Sequence, residues 1–165
     1  MKTIAVLIWL KVIVMILAVL VVLYLLMIMP RLTNRRERKK FLNVYYAHRG
    51  LHDNETDAPE NSMSAFRRAV EAGYGIELDV QVTKDKIPVV FHDFTLQRVC
   101  GQEGKVCDYT YEELQKFRLC KSSETIPLFE DVLKLVAGKV PLIVELKVEF
   151  TDLSVCEKAD ALLRK

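Results

Sequence analysis

The chain begins with an apolar run. From Thr3 to Met29 the only polar residues are Thr3 itself and Lys11, and a hydrocarbon core is crossed by about 20 such residues in a helix. A transmembrane helix is therefore predicted over residues 1–30. A cleavable signal peptide would show a shorter apolar core and a small-residue cleavage site, and neither is visible. Lys11 lies about a third of the way in. A mid-span cation costs roughly 2.5–3.5 kcal/mol, which snorkelling toward the amino-terminal side relieves.

After residue 40 the pattern changes to short apolar runs alternating with stretches of helical period. Val44–His48, Gly75–Val80, Pro88–His92 and Val140–Lys147 read as strands. Between the first two, Asn61 or Ser62 caps a helix carrying Met63, Phe66, Ala69 and Val70 on one face and ending at Gly73. Thr110-Tyr111-Glu112-Glu113 is a capping-box pattern opening a helix through Phe117. Pro127 precedes a helix stopped by Gly138, and a last helix starts near Asp152 and runs to the terminus. Short apolar strands separated by helices predict parallel βαβ units.

Inside these runs the polar positions are ordered. Side chains alternate faces along a strand, so Glu77 and Asp79 share one side and Leu78 takes the other; Glu145 and Lys147 likewise oppose Leu146. An isolated carboxylate on a buried strand is costly to desolvate. Three of them, with His48 and His92 each ending an apolar run, fit a site built around a cation. The oxygen-only set Glu77, Asp79 and Glu145 favours Mg2+ or Ca2+ over zinc. His48 and His92 are the candidates for general base and general acid. Arg49 offers a planar fork to phosphate oxygens and Lys147 a point charge.

Charge divides the chain. Residues 1–40 hold 8 Lys+Arg against 1 Asp+Glu, a charge of +7, and the remainder holds 16 against 21, a charge of −5, giving the overall +2. The acidic globular part argues against nucleic-acid binding. The six basic residues Arg31, Arg35, Arg36, Arg38, Lys39 and Lys40 form a juxtamembrane linker over 31–40. They place the following domain, 41–165, in the cytoplasm and the amino terminus outside. They also suit anionic lipid headgroups, although a topology signal alone explains them. Cys100, Cys107, Cys120 and Cys156 show no Cys-x-x-Cys spacing, so free thiols in a reducing compartment are expected rather than a zinc site. A Cys100–Cys107 bridge would require the domain to face outward.

An ordered series of motifs resembles the glycerophosphodiester phosphodiesterase family. It comprises Ala47-His48-Arg49-Gly50, Pro59-Glu60-Asn61-Ser62 with Ala65-Phe66, Ile76-Glu77-Leu78-Asp79-Val80 and Thr83-Lys84-Asp85. It continues through Val89-Val90-Phe91-His92-Asp93, Leu96-Gln97-Arg98, Tyr109 to Leu114, Ile126-Pro127-Leu128 and Glu145-Leu146-Lys147. The resemblance implies a (β/α)8 TIM barrel with its chemistry at the carboxyl ends of the strands. A full barrel takes about 250 residues, and 125 follow residue 40. The expectation is about the first four β/α units behind one transmembrane helix, to be completed by further chain or by self-association.

The same resemblance implies metal-dependent hydrolysis of glycerophosphodiesters to glycerol 3-phosphate and an alcohol. Glu77, Asp79 and Glu145 are then metal ligands, His48 and His92 the acid/base pair, and Arg49 and Lys147 phosphate contacts. Glu60 supports the site from behind, Asn61 is read as a helix cap, and Asp93 as the start of the next turn. The substrate is a glycerophosphodiester or lysolipid at the membrane. Alternatives are a phosphatidylinositol-phospholipase-like or lysophospholipase D-like phosphodiesterase, or an inactive membrane-tethered half-barrel. The stretch Val99-Cys100-Gly101 to Gly104 and Cys107 departs from the threonine and glycine that the family tends to carry after His92.

Overall fold

One strand organises the globular part. β2 (Gly75–Val82) pairs in parallel with β1 (Tyr46–His48) through residues 75–77 and with β4 (Leu142–Leu146) through 76–80, and pairs antiparallel with β3 (Pro88–Val90) through 80–82. The computed structural model describes residues 2–29, 35–148 and 152–164. The chain divides into two compact units, Met1–Lys40 and Phe41–Lys165.

The first unit holds α1 (Lys2–Ile28) and the short α2 (Arg35–Lys39). Within α1, Val6–Ile28 is long and apolar enough to cross a membrane, and none of that stretch is buried in the protein. Arg31, part of the basic linker, lies outside the described residues.

In the second unit the elements after β1 are α3 (Met63–Glu71), β2, β3, α4 (Gln97–Cys100), a 3-10 turn at Val106–Asp108, α5 (Tyr111–Leu114), α6 (Phe129–Val136), β4 and α7 (Ser154–Leu163). Side-chain alternation along β2 sets the layering. Ile76, Leu78 and Val80 are fully buried against Phe66 and Ala69 of α3, Phe129, Val132 and Val136 of α6, and Val155 and Ala159 of α7. Burying each such large side chain contributes roughly 1.5–3 kcal/mol. The opposite face of β2 carries Glu77, Asp79 and Gln81, and the matching face of β4 carries Ile143 and Glu145. A second cluster, including Val89, Phe91, Leu96, Leu114 and Ile126, packs β3 against the segment 94–126.

Helix starts follow the residues that can satisfy free N–H groups. Ser62 Oγ accepts from Ala65 N–H as the cap of α3, so the cap is Ser62 and not Asn61. Thr110 and Glu113 form the expected capping box, but α5 stops at Leu114, short of Phe117.

The direction of β3 departs from the parallel βαβ expectation. Only five residues, 83–87, separate β2 from β3, whereas a parallel crossover needs a dozen or more. Thr83 closes this turn: its carbonyl accepts from Lys86 N–H at 2.9 Å and its Oγ1 from Ile87 N–H at 3.0 Å, with Lys86 left-handed at φ 61°. Pro88–His92 is therefore not a barrel strand. The described residues hold three parallel strands and a hairpin arm rather than four parallel strands.

This reversal has a geometric result. β4 occupies one edge of β2 up to Val80, so β1 and β3 share the other. β1 advances along that edge and ends at His48, opposite Glu77; β3 returns along it until Phe91 N–H donates to Asp79 O at 2.9 Å. The two histidine-bearing ends thus meet two residues apart on β2.

The chain turns away from β1 through Arg49 (φ 59°) and Gly50 (φ 84°), and Leu51 N–H donates to Ala65 O at 3.1 Å. A Cβ at Gly50 would lie 2.9 Å from Ala65 Cβ and 3.0 Å from the Ala65 carbonyl carbon. Gly50→Ala should therefore destabilise the domain by roughly 1–3 kcal/mol. A chemical-denaturation midpoint equal to wild type would show that the turn relaxes freely.

Candidate active site

The polar face of β2 and the strand ends around it gather the titratable residues singled out above. Register places Asp79 directly beside Glu145, with Glu77 two residues earlier. One carboxylate oxygen from each of Glu77, Asp79 and Glu145 lies within 4.8 Å of the other two. Asp79 is fully buried, Glu77 partly so, and Glu145 exposed. Lys147 reaches over the same spot: its ammonium lies 2.7 Å from Glu145 Oε1 and 3.1 Å from Asp79 Oδ1. Burial pushes the Lys147 pKa down, but the hydrogen bond to Glu145 and the close negative charge of Asp79 outweigh it and hold the ammonium above its ordinary value.

Asp79 is gripped from a second side. Asn61, left-handed at φ 55° and fixed by its N–H on Arg49 O at 2.9 Å, donates its side-chain amide to Asp79 Oδ2 at 3.1 Å. Asn61 thus belongs to the site and is not a helix cap. Asp79 Oδ1 and Arg49 Nε, both buried, have no hydrogen-bond partner. The ammonium of Lys147 is near that oxygen in distance but does not align as a donor. Uncompensated buried polar atoms are rare, and these two are neighbours, Arg49 Nε lying 3.9 Å from the other oxygen of the Asp79 carboxylate.

Arg49 is mostly buried. Its Nη1 donates to Glu60 Oε1 at 3.0 Å and its backbone N–H to Glu77 Oε2 at 3.2 Å. Glu60, 5% exposed, also accepts from Asn54 and, through two bonds of 2.9 and 2.6 Å, from Arg98. Burial pushes the Glu60 carboxyl up, yet the Arg98 and Asn54 hydrogen bonds and the charges of Arg98 and Arg49 overcome it and hold it at about 2.

The two histidines are held differently. His48 is largely exposed, with Nε2 3.8 Å from Glu77 Oε2. His92 Nδ1 is 2.6 Å from Asp93 Oδ1, which leaves Nε2 available to a substrate. Asp93 therefore orients His92 and does not merely begin a turn. The Arg98 hydrogen bond, assisted by His92 and only partly opposed by burial, holds the Asp93 carboxyl at about 2. Buried Gln81 donates its amide to Phe91 O at 2.8 Å and Asp93 O at 2.7 Å, pinning the backbone on both sides of His92.

All eight residues expected at the site, His48, Arg49, Glu60, Glu77, Asp79, His92, Glu145 and Lys147, lie on or beside this face. Sequence reasoning gave no role to Arg98 or Gln81. A charge count carried the signal for Arg98, because four inward carboxylates faced only Arg49 and Lys147. Gln81 carried one too, in phase with Glu77 and Asp79 on the same strand. His52 is exposed, and no disulfide joins Cys100, Cys107, Cys120 and Cys156.

Comparison with known proteins places this arrangement. Residues 48–164 match the family model described as the glycerophosphoryl diester phosphodiesterase family. A glycerophosphodiester phosphodiesterase of Bacillus altitudinis is 42% identical over 111 residues, 63% of this chain and 44% of that protein. Among solved structures, a phosphodiesterase of Oleispira antarctica in complex with the product sn-glycerol-3-phosphate superposes with a TM-score of 0.68 at 27% identity, over 77% of this chain and 54% of that one. A glycerophosphoryl diester phosphodiesterase of Parabacteroides distasonis gives 0.62 at 34%, over 73% and 42%. The chain spans about half the length of the relatives it matches. The family fold is a TIM barrel, of which this α/β unit is a part. With its domain matched over most of the chain and its strand-end carboxylates and histidines gathered on one face, the protein belongs to the glycerophosphoryl diester phosphodiesterase family.

Proposed function

We propose that this chain carries the phosphate- and metal-binding part of an enzyme that hydrolyses glycerophosphodiesters to glycerol 3-phosphate and an alcohol. The carrying observation is the convergence of Glu77, Asp79 and Glu145 within 4.8 Å beneath the two histidine-bearing strand ends. The product named for the Oleispira antarctica structure is the one this reaction would release.

The residues suit a hard divalent cation, Mg2+ or Ca2+. All three donors are carboxylate oxygens, and the buried Asp79 Oδ1 has no hydrogen-bond partner. When bound, such an ion withdraws charge from the phosphate oxygens and makes phosphorus more open to attack. Arg49, with its Nε unpartnered and its Nη1 anchored on Glu60, presents a preset charge to a phosphate oxygen. Lys147 adds a second positive charge on the opposite strand. His92, its Nδ1 engaged by Asp93, offers Nε2 to take or give a proton, and the exposed ring of His48 serves the other half of the transfer.

Further parts of the reading concern context. α1 acts as a single membrane anchor with the catalytic unit on the cytoplasmic side, and lysolipid is a second substrate candidate there. The face bearing Glu145 also exposes Ile143, 47% accessible, which further barrel strands or a second copy of the chain would cover.

Assays of the chain in detergent with glycerophosphocholine, lysophosphatidylcholine and phosphatidylinositol should show weak hydrolysis of the first two. Activity should be lost on chelation and restored by Mg2+ or Ca2+. His48→Ala and His92→Ala should each lower turnover by about 10²–10⁴-fold. Hydrolysis that survives chelation, or either variant at near-normal turnover, would contradict the assignment.

The charged frame also fixes an acid limit. Glu60 and Asp93 are held at about 2, below their ordinary 4.5 and 3.8. Depressed values stabilise the fold above those ordinary values and lose that contribution as pH falls toward 2. Denaturation midpoints should therefore drop between about pH 4.5 and 2, and Glu60→Gln should flatten the drop. A wild-type midpoint constant over that range would refute the linkage.

Topology is testable through the exposed Cys107. An impermeant thiol reagent applied to intact cells should leave it unlabelled until the membrane is opened. Labelling of intact cells would place the catalytic unit outside.

A further inference from the structure

We propose that Arg98 is the positioning residue that sets the ring of His92 for proton transfer, by locking Asp93 against the buried Glu60. The inference rests on the reading of His92 as an acid/base group. Arg98 itself acts on that ring only through Asp93.

Four hydrogen bonds define the lock. Nε donates to Asp93 Oδ2 at 2.7 Å and Nη2 to Asp93 Oδ1 at 3.0 Å, while Nη1 donates to Glu60 Oε2 at 2.9 Å and Nη2 to Glu60 Oε1 at 2.6 Å. Both carboxylates are thus held two-pronged by one planar group, an arrangement that five coplanar donors allow and a lysine ammonium does not. Arg98 is carried by a short but well-anchored helix. Leu96 and Val99 on either side of it are buried, Cys100 N–H donates to Leu96 O at 2.8 Å, and Val99 O accepts Cys120 N–H at 2.7 Å.

The consequence reaches His92 through Asp93. With both its oxygens engaged by Arg98, the Asp93 carboxylate cannot rotate, and Oδ1 stays 2.6 Å from His92 Nδ1. A fixed acceptor there selects the ring form protonated at Nδ1 and bare at Nε2. Gln81 holds the backbone of the same segment but leaves the ring free to turn about its own bonds, so backbone pinning alone does not set the tautomer. Glu60 supplies the counter-hold. Nearly fully buried and bonded to Arg49 and Asn54, it cannot follow Arg98 into solvent.

The test reads the tautomer directly, in the full 165-residue chain in detergent micelles with 15N-labelled histidine. The three histidines give separable ring signals, and His92→Gln identifies that of His92. At a pH where the rings are neutral, wild type should show His92 protonated at Nδ1. Arg98→Ala and the closer-sized Arg98→Gln should both lose that signature for a mixture of forms, with His48 and His52 unchanged. Circular dichroism checks that each variant is folded, and Arg98→Gln serves should the alanine variant unfold. A folded variant of either kind whose His92 keeps the pure Nδ1–H form would overturn the proposal. The readout is independent of turnover, so full activity in His92→Ala would end the catalytic reading of His92 while leaving this result to stand or fall alone.

Discussion

The structure turns on keeping a carboxylate, Asp79, fully buried on the polar face of β2. Removing an ionised group from water is expensive unless opposite charge and hydrogen bonds replace the lost solvation. Asn61 and Lys147 reach Asp79 from two directions at 3.1 Å each, and Arg49 Nε stands 3.9 Å away. Those partners come from three separate segments, so satisfying one buried charge obliges the loop after β1, the start of α3 and the end of β4 to converge. The left-handed backbone at Arg49 and Asn61 follows from this convergence. Such conformations persist where surrounding structure over-determines them, and here the Arg49 carbonyl and the Asn61 N–H bond each other directly.

Convergence at Asp79 does not by itself bring the second histidine into reach. That depends on β3 folding back along the edge of β2 that β1 vacates. Had the chain continued through a helix to another parallel strand, the β2 carbonyls beyond Glu77 would have been paired by a different element. The tight turn at 83–87 delivers Phe91 onto Asp79 and so sets His92 above the carboxylates. Gln81 then uses its buried amide to hold the chain on both sides of that histidine. One strand therefore supplies two candidate metal ligands, the amide that pins the His92 segment, and the edge along which both histidine-bearing segments align.

Much of this was legible in the sequence, for identifiable reasons. Period-two alternation put Glu77, Asp79, Glu145 and Lys147 on a common face, and the capping pattern at Thr110 opened α5 where expected. What stayed hidden depended on tertiary pairing. The spacing between Val82 and Pro88 already forbade a parallel crossover, but an apolar run ending in histidine looks the same in either direction. Asn61 and Ser62 compete for one cap, and only the buried Asp79 decides which side chain is free to leave it. Asp93 lies in the loop after β3 and Arg98 in the short α4 five residues on, where nothing local marks them as partners. Their meeting with Glu60 across 38 positions is a property of the fold.

Burial grades across the site in a way that bears on its chemistry. Asp79 and Glu60 are sealed, His92 is about a third exposed, and His48 and Glu145 are open. Electrostatic interactions strengthen as water is excluded. The sealed side is therefore the part able to hold charge in fixed places, and it carries Arg49, Glu60 and Asp79, while Arg98, about half exposed, ties Glu60 to Asp93 from the solvent side. The open side holds the groups whose partners are weak, such as His48 at 3.8 Å from Glu77. Catalytic stabilisation depends on dipoles and charges fixed before the reaction begins. The preorganised half is thus built around β2 by the loops after β1 and β3 and by the end of β4, while the solvated half, with His48 and Glu145, lies open to whatever covers it. Whether that cover is protein or a bound substrate, it would raise the effective strength of His48 and Glu145 without moving Asp79.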